Sequence, residues 1–264
     1  MKLAAMLLAT GLGAACGGSS PSAVEMKNLE SKTVIDATLK ADLETLRGAR
    51  VFFGHQSVGA NILEGLRTLG QEAGIPVEIG EAGVGANQQP LSKFEDFAKR
   101  AESAAPGSLQ LMAVKLCYAD FAPDTDVAPM IESYKAAVAR VRKAQPGVRI
   151  VHVTPPLFAR PTGLKAGVKR TLGKQLWEEG ASAKSAAFGE QLRAAFPGEP
   201  VFDLAALEST RPDGSREQYA IDGKQVPMLW AGFTSDGGHL NETGKRVVAK
   251  AFAHALAEEL RTRR

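Results

Sequence analysis

Two short stretches of this 264-residue chain carry residue types that do acyl-transfer chemistry. In Phe53-Gly54-His55-Gln56-Ser57-Val58-Gly59 a serine stands between an apolar run and a helical pattern. A serine at a helix start lies among unpaired backbone N–H groups and near the positive end of the helix dipole, which favours a negative oxygen. A hydroxyl nucleophile with N–H groups to hold an oxyanion is what attack on an ester requires. Serine is also a favoured helix N-cap, so this stretch alone fits either role. In Thr234-Ser235-Asp236-Gly237-Gly238-His239-Leu240-Asn241 an Asp precedes a His across two glycines. A loop of that kind turns tightly enough to present both side chains together. The carboxylate can orient the imidazole, and the imidazole can take a serine proton. The plainer role is a glycine-rich turn before a helix cap.

The elements around these stretches decide whether they meet. Residues 50–54 are a short apolar run and predict a buried strand. Val58 to Glu72 has helical spacing, with Ile62, Leu63, Leu66 and Leu69 on one face. Strands are expected at 76–79, 109–116, 148–153 and 200–203, and helices at 90–103 and 128–143. Residues 167–196 read as largely helical with a weak break near Gly180. Residues 219–226 read as a hairpin around Asp222-Gly223, a pair suited to a tight turn. A strong last helix runs over 241–261. Strands alternating with helices imply a parallel sheet covered on both faces. The expected fold class is α/β: a flavodoxin-like three-layer α/β/α sandwich with a five-stranded, mainly parallel sheet. In such sheets ligands bind at the carboxyl ends of the strands. That edge would receive Ser57, the end of the third strand, and the loop carrying Asp236 and His239.

Composition sets outer limits. Hydrophobic residues make up 44% and charged residues 23%, as in an ordinary globular domain, and the net charge of +3 gives no basis for nucleic-acid binding. The N-terminus resembles an export signal: Lys2, an apolar run from Leu3 to Leu12, then Gly13-Ala14-Ala15. Cys16 follows at once, as in a bacterial lipobox, with Leu12 one position further from the cysteine than usual. Gly17 to Ser22 reads as a flexible tether. The expected organisation is therefore a signal and lipobox over 1–16, a tether and N-terminal helical segment over 17–48, and the catalytic domain over 49–264. Lipidation at Cys16 would anchor the chain to the membrane of the cell envelope; a plainly cleaved signal would leave it periplasmic or secreted. Leu39, Leu43 and Leu46 form a stripe that could lie against the domain. Cys117 sits in an apolar pattern and reads as a buried thiol. No metal motif and no cofactor motif is present.

With these residues in place, the chain resembles the SGNH/GDSL hydrolase superfamily. That family puts its serine just after the first strand and Asp-x-x-His before the last helix. Gly54-His55-Gln56-Ser57 stands where Gly-Asp-Ser is usual, and Asp236-Gly237-Gly238-His239, followed by Leu240, Asn241 and Gly244, matches the second motif. The resemblance spans about residues 49–262. It implies Ser57 as nucleophile, His239 as general base and Asp236 as its orienting partner. It also implies two further oxyanion donors, a glycine after the second strand and an asparagine after the third. Gly83 or Gly85 fits the glycine. Ala119 falls where the asparagine belongs, and Asn87, Gln56, Lys115 and backbone N–H groups are candidate replacements. Tyr118 and Asp120 are expected at the pocket edge. His55 fits either the site or a structural role, His152 and His254 fit structural roles, and Trp230 and Phe233 fit core packing or a sugar-stacking platform.

The expected function is an exported serine esterase, without metal or cofactor, that hydrolyses an ester on a glycan or small molecule. The missing asparagine keeps open a non-catalytic glycan- or envelope-binding lipoprotein, and an acyltransferase would share the same site. Residues 155–185 and 209–233 are expected to form the walls that select the substrate.

Overall fold

The structure, a computed structural model, describes residues 34–262 apart from residue 222. The signal, lipobox and Cys16 lie outside the described residues. Five strands form one parallel sheet: β1 (Val51–His55), β2 (Gly80–Gly83), β3 (Leu111–Val114), β4 (Arg149–Val153) and β5 (Val201–Phe202), in the order β2-β1-β3-β4-β5. This is the expected α/β class with the flavodoxin-like order.

The three central strands are nearly continuous apolar runs because both sheet faces are covered. Successive side chains point to opposite faces. Val51, Phe53, Leu111, Ala113, Val151 and Val153 therefore enter one core, and Phe52, Met112, Val114 and Ile150 enter the other. Helices α1 (Ala37–Arg47), α2 (Val58–Ala73) and α8 (Glu242–Arg261) cover the first face. Helices α3 (Pro90–Ser103), α4 (Ala128–Ala144) and α6 (Trp177–Ala195) cover the second. Leu39, Leu43 and Leu46 of α1 are buried, and Asp42 pairs with Arg261 and His254 of α8, so α1 is clamped to the domain.

Several boundaries differ from the sequence reading. The second strand is Gly80–Gly83, not 76–79. Ile75 and Val77 are buried in the core, but the ladder to β1 is made by the next four residues, with Phe52 opposite Gly80 and His55 opposite Gly83. The long helical stretch breaks at 172–176 and not at Gly180, leaving α5 (Leu164–Thr171) separate from α6. Gly180 lies inside α6, where a Cβ would come within 2.7 Å of Pro123. A short helix α7 (Leu204–Ser209) follows β5. The hairpin is present as β6 (Gln218–Ile221) and β7 (Lys224–Pro227), packed on α6, with the Tyr219 hydroxyl donating to the Glu179 carbonyl. No helix among the described residues is long and apolar enough to cross a membrane.

Candidate active site

Ser57 occupies the turn between β1 and α2. Its backbone lies at φ 55° and ψ −109°, a region that L-residues with a side chain rarely adopt. Such a conformation costs on the order of 1–3 kcal/mol and persists only where its surroundings hold it. Here the surroundings are a buried strand on one side and an apolar helix on the other. The next turn presses close: a Cβ on Gly59 would stand 2.3 Å from His55 Cβ. The sharp turn directs Ser57 away from helix capping, and its side chain makes no cap hydrogen bond. The N–H groups of Ser57 and Val58 donate to no acceptor among the described residues, while those of Gly59 and Ala60 donate to the carbonyls of Gln56 and Ser57.

The Asp–His loop is closed at its base, where Thr234 and Leu240 bridge and the Asn241 N–H donates to the Phe233 carbonyl. Asn241 caps α8 through the Gly244 N–H. Inside the loop, Asp236 Oδ1 accepts from the N–H groups of Gly238 and His239, and Thr234 Oγ1 accepts from the Gly237 N–H. A further tie comes from α2, where Asn61 Oδ1 accepts the Leu240 N–H.

The two stretches meet. Ser57 Oγ lies 2.6 Å from His239 Nε2, and His239 Nδ1 lies 2.6 Å from Asp236 Oδ2. Partial burial pushes the Asp236 carboxyl up, but the two loop N–H groups and the His239 imidazole outweigh it and hold it well below the usual carboxylate range. An ionised carboxylate only accepts, so the proton between them belongs to His239 Nδ1. The Nε2 lone pair then faces Ser57, whose hydroxyl donates to it. This is the order of proton carriers that serine activation needs.

Tyr118 completes the group from the end of β3. Its hydroxyl is 3.1 Å from His239 Nε2, and its ring meets the imidazole edge-on. Burial pushes the phenol up, with a hydrogen bond to Ser57 offsetting part of the rise, so it is a neutral O–H donor near pH 7. Gly238 makes room for it, since a Cβ there would stand 3.0 Å from the Tyr118 ring.

The other residues expected around an oxyanion are placed differently. Lys115 is fully buried with Nζ on the Leu116 carbonyl, and burial drives its ammonium down to about 8. Gln56 gives its amide hydrogens to the carbonyls of Val84 and Gly85 and so holds the loop after β2. The Gly85 N–H is taken by Asp96 Oδ2. Asp120 is buried in an ion pair with Lys93, 2.6 Å away, and also accepts from the N–H groups of Gln88 and Cys117. A charge with these partners is a strut and not a substrate ligand. Gly83 ends β2 opposite His55, and Asn87 is exposed on the following loop.

The histidines divide in the same way. His55 is buried, its imidazole pushed down by burial and partly restored by Glu81 at 2.7 Å. His152 lies between the Tyr134 hydroxyl and Glu199. Trp230 and Phe233 are buried against each other, so they pack the core and offer no platform.

A cleft of about 460 Å³ opens beside His239, lined by Tyr118, Phe158, Arg160, Thr162, Glu178 and the Asp–His loop. Its wall comes from the expected 155–185 segment, held to the loop by the Ala159 N–H on the Gly237 carbonyl. From the expected 209–233 segment only Ala231 reaches it. One contributor escaped the sequence reading: Asn61, which was legible as one helical turn beyond Ser57. Phe158 and Arg160 lie within the expected wall but carry no signal that singles them out. Among the described residues no three His, Cys, Asp or Glu side chains cluster as a metal site requires.

No protein-family model matches the chain, and no curated protein does. Solved structures resemble it distantly. A Streptococcus pneumonia protein provisionally described as a platelet activating factor is 13% identical, covering 87% of this chain and 92% of that one at a TM-score of 0.49. A peptidoglycan O-acetylesterase is 12% identical over 72% of this chain and 48% of that one, at 0.45. The periplasmic domain of a lipopolysaccharide acetyltransferase from Salmonella ser. Paratyphi A is 12% identical over 84% and 90%, at 0.43. At that distance, what the site can do must be read from its own geometry.

Proposed function

We propose that this chain is a serine esterase of the SGNH/GDSL type that hydrolyses an acyl ester, such as an O-acetyl group, on a glycan or small molecule. One observation carries the reading: Ser57 Oγ, His239 and Asp236 stand in line at 2.6 Å and 2.6 Å. Ser57 Oγ attacks the ester carbon as His239 Nε2 takes its proton. The imidazolium gives that proton to the leaving alcohol, and an acyl-serine remains. Water enters, His239 takes a proton from it, and the acid leaves as Ser57 regains its own. The N–H groups of Ser57 and Val58 and the Tyr118 hydroxyl hold the oxyanion, the phenol serving where the family pattern has an asparagine. Tyrosine hydroxyls are competent donors in such sites. Hydrolysis is preferred to acyl transfer because His239 and Asp236 are 44% and 55% exposed, which leaves water free access.

The export signal and Cys16 support an exported chain anchored in the bacterial envelope by an acylated cysteine. Mass analysis of the mature N-terminal peptide, and release of a Cys16→Ala chain into the soluble fraction, test that half. Release of acetate or p-nitrophenol by purified protein, with covalent labelling of Ser57 by a fluorophosphonate, tests the chemistry. Turnover that survives both Ser57→Ala and His239→Ala overturns it, and so does a protein that neither turns over esters nor labels.

A further inference from the structure

The segment from 161 to 177, at the rim of the cleft, presents an apolar stripe to solvent. Leu164 is 90% exposed, Val168 58%, Leu172 67% and Trp177 49%. Of the six large hydrophobic side chains exposed among the described residues, these are four, gathered within fourteen positions. The spacing of four along α5 puts Leu164, Val168 and Leu172 on one side, because residues four apart on a helix are neighbours. Ala166, on the opposite side, is buried and holds the helix to the domain. Gly163 and Gly173, both at positive φ, bracket the element.

The charge of the same segment is one-sided. Between 161 and 177 there are four cations, Lys165, Lys169, Arg170 and Lys174, and no acid. Arg170 is tied to Glu179. The three lysines take part in no ion pair among the described residues, and all three are exposed. At about 100° per residue, Lys165 and Lys169 line one edge of the apolar stripe, between it and the buried Ala166. A solvent-facing apolar stripe edged by lysines, with a tryptophan at its end, is the pattern of a helix lying in a membrane interface.

We propose that α5 and Trp177 dock this protein onto an anionic lipid bilayer. Leu164, Val168 and Leu172 enter the acyl boundary, Trp177 sits at headgroup level, and Lys165, Lys169 and Lys174 meet lipid phosphates. The unpaired charge selects the occupant: a second copy of this chain would bring the same unpaired lysines to the face, whereas an anionic bilayer neutralises them. The docking places the cleft at the membrane surface. Trp177 packs edge-on against Phe158 at 5.3 Å, Phe158 against Tyr118 at 4.7 Å, and Tyr118 meets His239, so an unbroken row of rings joins the docking face to the site. This surface contact is separate from any anchor at Cys16 and does not depend on the esterase reading.

The test uses tryptophan emission from the full chain carrying Cys16→Ala. The chain has two tryptophans, and Trp230 is already buried, so a shift on adding vesicles reports Trp177. Vesicles of equal parts phosphatidylglycerol and phosphatidylcholine should shift the emission to the blue, pure phosphatidylcholine should not, and about 0.5 M salt should reverse the shift by screening. Each lysine changed to glutamine should lower partitioning roughly five-fold. Leu164→Ser with Leu172→Ser, both at exposed positions, should abolish the shift while leaving turnover of a soluble ester unchanged. The proposal is overturned if the emission does not move with anionic vesicles, if the serine and glutamine variants shift as the wild type does, or if sedimentation shows the face occupied by a second copy of the chain.

Discussion

Ser57 and His239 are 182 residues apart in the chain and 2.6 Å apart in space. The contact closes across the carboxyl edge of the sheet, between the turn after β1 and the loop before α8. The α2 and α8 helices that carry these two segments pack against each other, and Asn61 of α2 holds the backbone N–H beside His239. The hydroxyl and the imidazole are therefore positioned by one packed helix pair.

Removing either member should remove the activity. Ser57→Ala and His239→Ala should each lower kcat by roughly 10⁴-fold or more in p-nitrophenyl acetate hydrolysis, and the double variant should be little worse than either single one, because the members of such a unit act together.

Tyr118→Phe separates a donor from a packing residue. Loss of an oxyanion donor should reduce kcat by roughly 10²–10³-fold with little change in KM. The ring contacts to Phe158 and His239 remain in phenylalanine. A change of less than about threefold in steady-state kinetics would assign the oxyanion to backbone N–H groups alone.

Ser57 holds a backbone conformation that glycine adopts freely. Ser57→Gly should raise the thermal midpoint while Ser57→Ala should not, since alanine keeps the Cβ that makes positive φ unfavourable. The gain should be about 1 kcal/mol in chemical denaturation. In the same turn Gly59→Ala should cost about 1–3 kcal/mol, because the added methyl meets His55.

The buried Glu208 makes stability depend on pH. Burial pushes its carboxyl up to about 8, with the Leu157 N–H and Lys115 only partly offsetting this. A raised carboxyl contributes stability that is fully present below its unfolded value, near 4.5, and is lost as pH rises toward about 8. The thermal midpoint should therefore fall between pH 5 and pH 8. Glu208→Gln, which mimics the neutral acid, should flatten that fall in scanning calorimetry, each kcal/mol recovered being worth roughly 2–4 °C.

Asp120 offers a check on the strut role. It is buried with Lys93 and joins the loop after β2 to the turn after β3. Asp120→Ala leaves Lys93 uncompensated and should cost about 3–5 kcal/mol in denaturant unfolding. A soluble, folded Asp120→Ala protein with native stability and lost activity would instead return Asp120 to the substrate side.

The sequence by itself determined the class of fold and the two segments of the candidate site. Apolar runs of strand length alternate with helical patterns of period 3.6, and burial of both sheet faces demands that arrangement. Asp236-Gly237-Gly238-His239 was legible because its internal contacts are local: the loop N–H groups that hold Asp236 belong to residues two and three positions on. The tertiary structure decided what depends on non-local contact. The second strand starts at Gly80, not at Pro76, since register against β1 and not local apolarity sets its place. Lys115, Gln56 and Asp120 look like site residues in a string of letters, yet packing gives each a partner elsewhere. Tyr118 was expected at the pocket edge from its place after the third strand, but its contact with an imidazole 121 residues away is made only by the closing of the sheet edge.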